Sequence, residues 1–359
     1  MSEARAAPAS VGVALRVLRR IGCGSSGGIG CRIRCRIRPR CRIGCRIRLR
    51  CRIRIGCRIR LRCRIRLRSY PMGTGIKPVK GDYDLDVGLL FNLDKLDYPD
   101  PLTVKMWVHD ALDGHTKEVR VREPVVTVFY AEGEEHCYHL DLAVYADACG
   151  DGSSYLGRGK EHSLPENKRW EESDPEALLK AMRTTFPDRE DRAQARRVVR
   201  YAKRWKDENF SAGSGAPTGI ALTACVLRWF VVSKVKDPIA QTTSWDDAQA
   251  MLDLVRTMLR NFSGVWDADK NTVVQRLSVT LPVPPGNDLF VRMTNTQMAT
   301  FEQRLEKLRD ALIDAQSDVD PHTAAKTLRK VFGDGFPVPE KEETAKSVGP
   351  AIVSSGNSA

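Results

Sequence analysis

The sequence predicts an α+β fold in which a strand-rich lobe, with a mixed or antiparallel sheet, packs against a helical lobe. Short apolar runs that read as strands fall between residues 69 and 147. Beyond them, apolar residues recur every three to four positions, which is the period of an amphipathic helix. A chain of this length can bury a sizeable core. We therefore expect two lobes with a cleft between them.

Composition and linkers divide the chain into four segments. Residues 1–68 are a low-complexity segment in which arginine alternates with other residues, here called the arginine segment, and residues 69–147 form the strand-rich lobe. Residues 148–340 form the helical lobe, with linkers at 148–173 and 281–288, the latter reading LPVPPGND. Residues 341–359 are polar and are expected to form a flexible tail.

In the strand-rich lobe, strands are predicted at residues 84–91, 125–131 and 137–146, with an acidic turn at 132–135. In the helical lobe, Asp174 before Pro175 is a helix-start signal, and Pro217 and Ser244 are two more. The apolar spacing predicts helices at residues 175–185, 189–207, 218–235, 245–262, 296–316 and 321–332.

Three acids are the main candidates for catalysis. Asp84 and Asp86 lie two apart in a predicted strand, so that both carboxylates project to one face. Two adjacent carboxylates repel unless a cation lies between them, and Mg²⁺ is the usual cation beside phosphate. Asp141 interrupts another apolar strand, where an unpaired carboxylate would be costly to bury. If the two strands are neighbours, the three acids can hold two Mg²⁺ ions that activate a hydroxyl and stabilise leaving pyrophosphate.

These acids could also have a purely structural role, because an Asp-x-Asp pair alone more often belongs to a turn or to a solvent-exposed face. The preceding stretch SYPMGTG, which reads as a phosphate-holding turn, and the acid in the apolar strand together favour nucleotidyl transfer.

The motifs GTGIKPVKGDYDLDVGLL and HLDLAVYA resemble those of the bacterial cGAS/DncV-like nucleotidyltransferases, a family of the polymerase-β-like superfamily. The resemblance continues through YLGRGK, SDPEALLKAM, VRYAKRWKDENF, PTGIALTACVL, DLFVRMTNTQMATFEQRLEKL and FGDGFPVP, in the family's order. It implies a Mg²⁺-dependent enzyme that joins nucleoside triphosphates such as ATP and GTP into cyclic di- or oligonucleotides for antiviral (CBASS) defence. It also implies regulatory proteins encoded nearby.

The same resemblance assigns three residues to the triphosphate: Ser69, Lys203 and Thr218. Each has a simpler role as an alternative: a turn residue for Ser69, a solvated helix charge for Lys203, and a helix cap for Thr218. Lys206 is the competing lysine. The sequence departs from the family at Arg68, where relatives have Gly, and it has the arginine segment in place of an upstream helix. These two departures predict an enzyme that is impaired in phosphate binding.

The arginine segment accounts for the basic charge of the chain. Residues 1–68 hold 21 of the 58 Lys and Arg residues and one of the 45 acids, so the segment carries +20 and the remainder −7. The whole-chain charge of +13 is therefore no argument for nucleic-acid binding by the lobes. Eight of the 11 cysteines lie here without C-x-x-C spacing or a nearby His, which argues against a zinc site.

From position 32 to 68 the alternation has the period of a strand, so an amphipathic ribbon is conceivable. No hairpin signal accompanies it, and aligned arginines repel each other. We therefore predict that the segment is misannotated or disordered by itself and makes few contacts with the lobes. The functional alternative is an arm that binds nucleic acid or anionic membrane through phosphates.

Two other functions stay open at this point. One is a polymerase-β-like transferase that adds nucleotides to RNA, protein or a small molecule, and the other is a non-enzymatic, basic-armed binding protein. Nucleic acid is not an expected partner except through the arginine segment. No apolar run reaches transmembrane length and no signal peptide is evident, which predicts a cytoplasmic protein.

Overall fold

The computed structural model describes residues 32–36, 49–55, 59–67, 72–76, 83–114, 116, 118–132, 135–211 and 215–341. For residues 32–67 within these ranges, and for 83–85, 131–132, 135–138 and 175, the description covers the backbone.

One mixed sheet organises the first half of the described chain. Its strands follow the order β1-β2-β3-β4-β7-β6-β5, with β8 on β7 and β9 on β8. Only β4 and β7 pair in parallel among these described strands. The mixed sheet predicted from the sequence is thus confirmed. The strands are β1 (Arg32–Arg36), β2 (Leu49–Ile55), β3 (Ile59–Leu67), β4 (Tyr83–Phe91), β5 (Glu118–Val121), β6 (Val126–Glu132), β7 (Glu135–Ala146), β8 (Tyr155–Gly157) and β9 (Trp170–Glu172).

Helix α1 (Pro101–Leu112) covers one face of this sheet. Val87, Leu89 and Phe91 of β4 are buried there in one cluster with Val104 and Val108 of the helix. Because successive residues of a strand alternate between faces, the even-numbered positions of β4 are left for the opposite face. The apolar packing of α1 therefore decides which face is available for chemistry.

Helix α1 was not among the predicted helices, although the sequence carries signals for its start. Asp100 accepts a hydrogen bond from the backbone N–H of Leu102, and Pro101 follows it as the first helical residue. This is the same Asp-Pro signal that correctly predicted the helix at Pro175.

The α1 residue Lys105 is fully buried, which is rare for lysine. Its ammonium donates hydrogen bonds to the carbonyl oxygens of Arg122 (2.5 Å), Glu123 (2.8 Å) and Gly159. The side chain thereby connects the helix to two loops that flank the sheet.

The second lobe is helical, as predicted, and has its own apolar core. The predicted limits of α2 and α7 are confirmed, and those of α3, α5 and α6 are off by at most two residues. Among the described residues, no helix is long and apolar enough to cross a membrane. The helices are α2 (Pro175–Thr185), α3 (Arg189–Asn209), α4 (Gly219–Trp229), α5 (Asp247–Arg260), α6 (Asn295–Ser317) and α7 (Pro321–Phe332).

The helix predicted at residues 218–235 is longer than the observed helix, because α4 ends at Trp229. The apolar run continues through Val231, but that side chain is 69% exposed, so burial no longer supports a helix there. The chain instead enters a hairpin of β10 (Lys234–Lys236) and β11 (Thr243–Trp245). Ser244 is consequently a strand residue, and Asp246 is the N-cap of α5. A second hairpin joins β12 (Ser263–Asp267) to β13 (Thr272–Arg276).

The sheet also extends past the predicted lobe boundary at residue 147. Strand β8 pairs with the end of β7, and β9 pairs with β8, so strands occupy part of the predicted linker at 148–173. Trp170 of β9 packs against the α1 cluster and donates a hydrogen bond to the Tyr98 carbonyl (2.7 Å).

The arginine segment differs most from its prediction. Strand β3 pairs antiparallel with β4, from Leu67 opposite Val87 to Cys63 opposite Phe91, and β1 and β2 extend the ladder outward. The prediction of few contacts with the lobes is therefore wrong for β3. The physical reason is that β4 has an edge whose backbone groups require partners, and a period-two sequence can supply them.

Candidate functional site

The register of the parallel pair brings two of the predicted acids together. Asp86 of β4 lies directly opposite Asp141 of β7, and Asp84 lies opposite His139. Adjacent strands are about 4.8 Å apart, so residues in register are close neighbours. Asp86 and Asp141 are both half-buried. The predicted convergence of β4 and β7 acids at one place on the sheet agrees with this register.

A third strand orients the Asp141 carboxylate. Thr127 of β6 is in register with Asp141 and is fully buried, and its hydroxyl donates a hydrogen bond of 2.7 Å to Asp141 Oδ1. A hydrogen bond to a charged acceptor is stronger than one between neutral groups. The contact therefore holds the carboxylate in one orientation. Sequence reasoning missed Thr127, because threonine in a run of β-branched residues reads as an ordinary strand residue.

His139 lies beside the acids but shows no sign of ligand geometry. Its ring packs against Phe129, with the ring centroids 5.8 Å apart. Its Nδ1 is buried and has no hydrogen-bond partner among the described residues. These contacts favour packing at the edge of the site.

The donor set suits a hard cation. Asp86 and Asp141 offer carboxylate oxygens from neighbouring strands, and Mg²⁺ typically takes one or two protein carboxylates together with substrate phosphate and water. Among the side chains that the structure describes, no group of three or more acidic, histidine or cysteine residues could hold a metal by itself. The Asp84 side chain is outside that description. The two described acids thus fit Mg²⁺ shared with a substrate.

Lys203 and Thr218 are brought together on the helical lobe, at the start of α4. Lys203 Nζ donates a hydrogen bond of 3.0 Å to the carbonyl of Thr74, and its Cε lies 3.2 Å from the place of a Cβ on Gly219. Thr218 is the N-cap of α4, where its hydroxyl accepts a hydrogen bond from the Ala221 N–H (3.2 Å). The capping role proposed as the alternative for Thr218 is therefore present.

The competing lysine, Lys206, forms an ion pair of 2.8 Å with Asp207. Of the two lysines, Lys203 is the one that contacts Thr74, in the turn at residues 69–75 that is predicted to hold phosphate. Ser69 lies outside the described residues, so its predicted role stays a prediction.

Residues 68–145 match the family model for the nucleotidyltransferase domain of DncV-like cyclic GMP-AMP synthases. The matched segment contains all three acids. A cyclic GMP-AMP synthase of Escherichia albertii is 29% identical over 143 residues, a stretch that spans 38% of this chain and 30% of that relative. The cGAS/DncV-like resemblance inferred from the motifs is confirmed by these matches.

The fold extends the likeness beyond that segment. Vibrio cholerae DncV cyclic AMP-GMP synthase in complex with nonhydrolyzable GTP matches with a TM-score of 0.58 at 17% identity, over 79% of this chain and 73% of that one. The same synthase with a linear intermediate matches with a TM-score of 0.53 at 17% identity, over 77% and 70%. At such identities the likeness shows a shared fold. Both the sheet and the helical lobe therefore share the fold of that synthase.

Proposed function

We propose, on the premise that residues 68–145 are a DncV-like nucleotidyltransferase domain, that the chain joins nucleoside triphosphates into a cyclic di- or oligonucleotide. The product would serve as a second messenger in antiviral defence, with ATP and GTP as candidate substrates. The observation that carries the proposal is the register of Asp86 and Asp141 on adjacent parallel strands.

In this proposal Asp84, Asp86 and Asp141 hold Mg²⁺. Bound Mg²⁺ would supply activation of the attacking hydroxyl and stabilisation of the leaving pyrophosphate. Thr127 would keep the Asp141 carboxylate oriented toward the substrate. The Lys203 ammonium, held by the Thr74 carbonyl, would offset the negative charge of the triphosphate.

The alternative is a polymerase-β-like transferase that adds nucleotides to RNA, protein or a small molecule. The match to DncV structures over more than three quarters of this chain, helical lobe included, supports cyclisation over that alternative. A non-enzymatic binding protein would have no need of paired carboxylates on adjacent strands.

The deciding experiment incubates the full chain with Mg²⁺ and four labelled nucleoside triphosphates, then treats the products with phosphatase. A small phosphatase-resistant product supports the proposal, and its absence when EDTA replaces Mg²⁺ supports the metal. A product that appears only with added RNA or protein would establish the alternative transferase. No product under any condition would overturn the enzymatic proposal.

We expect the change Thr127→Val to raise the Mg²⁺ concentration needed for half-maximal activity about tenfold or more. Valine keeps the shape of threonine but leaves Asp141 without the hydrogen bond that orients it. The measurement is a Mg²⁺ titration of initial rates, with Thr127→Ser as the matched control that restores the hydroxyl. If Thr127→Val and Thr127→Ser share the Mg²⁺ dependence of the wild type, the hydrogen bond has no part in metal binding.

A further inference from the structure

Three arginines follow one face of α3 at intervals of four residues: Arg192, Arg196 and Arg200, here called the arginine row. Eight residues of helix span about 12 Å, so the three side chains stand on successive turns of the helix. Residues 72–76 lie against it, since Arg200 Nη1 donates a hydrogen bond of 3.0 Å to the Gly73 carbonyl.

No acid neutralises this row within the part of the chain that the structure describes. In that part of the chain, none of the three arginines has a carboxylate within ion-pair distance. The same holds for Arg183 of α2. The next residue along the helix shows the contrast, because Arg197 binds Asp247 with two hydrogen bonds of 2.5 and 2.8 Å. The arginine row thus keeps a local excess of positive charge, which attracts anions.

The pKa of Arg196 is lowered by burial and by the neighbouring charges of Arg192, Arg183 and Arg200. Like charges that crowd a half-buried guanidinium disfavour its ionised form. A bound anion would reverse this effect.

Two buried polar atoms, one in the arginine row and one next to it, call for explanation because each lacks a hydrogen-bond partner among the described residues. Arg196 Nε and Thr74 Oγ1 have no hydrogen-bond partner among the described residues, and Thr74 is only 1% exposed. Buried polar atoms are normally paired, so each unpaired one calls for an explanation. The two groups are close in the fold, because Gly73, next to Thr74, would place a Cβ 3.3 Å from Arg196 Cδ.

Gly73 is also the reason why the turn can approach the helix so closely. Its φ of +68° lies in the left-handed region that favours glycine, and its missing side chain leaves room for Arg196. The backbone of the turn at Gly73 and the side chain of Arg196 therefore meet at one place, next to Thr74.

We propose that the arginine row and Thr74 form a binding site for an oligophosphate chain. Guanidinium groups bind phosphate through paired, charge-assisted hydrogen bonds, and an unpaired hydroxyl can add one more. The proposal goes beyond the proposed function, because the site needs neither the carboxylates nor Mg²⁺. The phosphate chain can belong to a nucleotide or be free pyrophosphate or tripolyphosphate.

The test is calorimetric titration of the full chain with inorganic tripolyphosphate in EDTA. We expect saturable binding that weakens with salt. The change Arg196→Gln is expected to lower the affinity tenfold to a hundredfold, while Arg189→Gln leaves it unchanged. Arg189 is the matched control, because it lies on the same helix with a side chain that is 90% exposed. Absence of binding to the wild type, or equal binding by Arg196→Gln, would overturn the proposal.

Three further measurements make the result unambiguous. Thermal unfolding of each variant shows whether it is folded, and Arg192→Gln takes the place of Arg196→Gln if the latter is not. Tripolyphosphate binding that persists in Asp86→Asn separates this site from the catalytic proposal, whereas its loss there would refute an independent site. Titration with ATP, pyrophosphate and adenosine then identifies the source: tighter ATP binding indicates a nucleotide, and tighter pyrophosphate binding a free oligophosphate. Adenosine binding that depends on Arg196 would contradict phosphate recognition.

Discussion

Replacing Asp86 with Asn is expected to lower the rate of nucleotide transfer by at least about a thousandfold while the protein remains folded. The amide keeps the size of the carboxylate but removes the negative charge that would hold Mg²⁺ opposite Asp141. Loss of the cation would remove nucleophile activation and charge stabilisation together.

The measurement is the initial rate of labelled product formation at saturating Mg²⁺, with circular dichroism to verify the fold. Asp97→Asn is the control, because Asp97 is an exposed acid of the same lobe. It should retain the wild-type rate. A folded Asp86→Asn protein with a rate near that of the wild type would show that this carboxylate does not hold a catalytic metal.

The change Lys105→Met is expected to lower the free energy of unfolding by about 3–5 kcal/mol. Methionine fills a similar volume but cannot donate, so the carbonyls of Arg122, Glu123 and Gly159 lose the ammonium that they now share. Denaturant unfolding at pH 7 measures the effect. Lys180→Met, on the exposed side of α2, should change the free energy of unfolding by less than about 0.5 kcal/mol. A Lys105→Met protein as stable as the wild type would mean that those carbonyls find other partners.

The same lysine gives the stability a defined pH dependence. Burial lowers the pKa of Lys105 to about 8, and the charge of Arg158 adds to this effect. Between pH 8 and about 10.5 the unfolded chain therefore holds a proton that the folded protein has released. In this range a rise in pH favours the folded state. The stability difference between the wild type and Lys105→Met should accordingly grow from pH 8 to pH 10, and a difference that shrinks would contradict the lowered pKa.

The acids of the candidate site could be selected from the sequence because their signal is local. Asp84 and Asp86 stand two apart in a strand, and Asp141 interrupts an apolar run, so strand periodicity alone selects these positions. Their register could not be predicted in this way. Strands β4 and β7 pair in parallel across a long stretch of intervening chain, and tertiary packing decides which residues face each other.

Other parts of the site depend on contacts that leave no pattern in the sequence. Thr127 acquires its role only because β6 places it in register with Asp141. Lys203 is one of several basic residues on α3, and its contact with the Thr74 carbonyl distinguishes it from Lys206. Helix α1, by contrast, carried a readable capping signal at Asp100 and Pro101. The start of this helix is therefore encoded locally in the sequence.

The pairing of β3 with β4 has a consequence for how uniquely the edge of the sheet is specified. The sequence of β3, IRLRCRIRL, repeats its residue classes every two positions, and β2 repeats them in the same way. A slip of two residues therefore presents β4 with almost the same neighbours, whereas a slip of one exchanges the two classes. Alignments that differ by two residues are therefore expected to have nearly equal energy. Because such multiplicity would add entropy to the paired state, a repeat with no unique alignment can still complete the sheet beside the strand that holds Asp84 and Asp86.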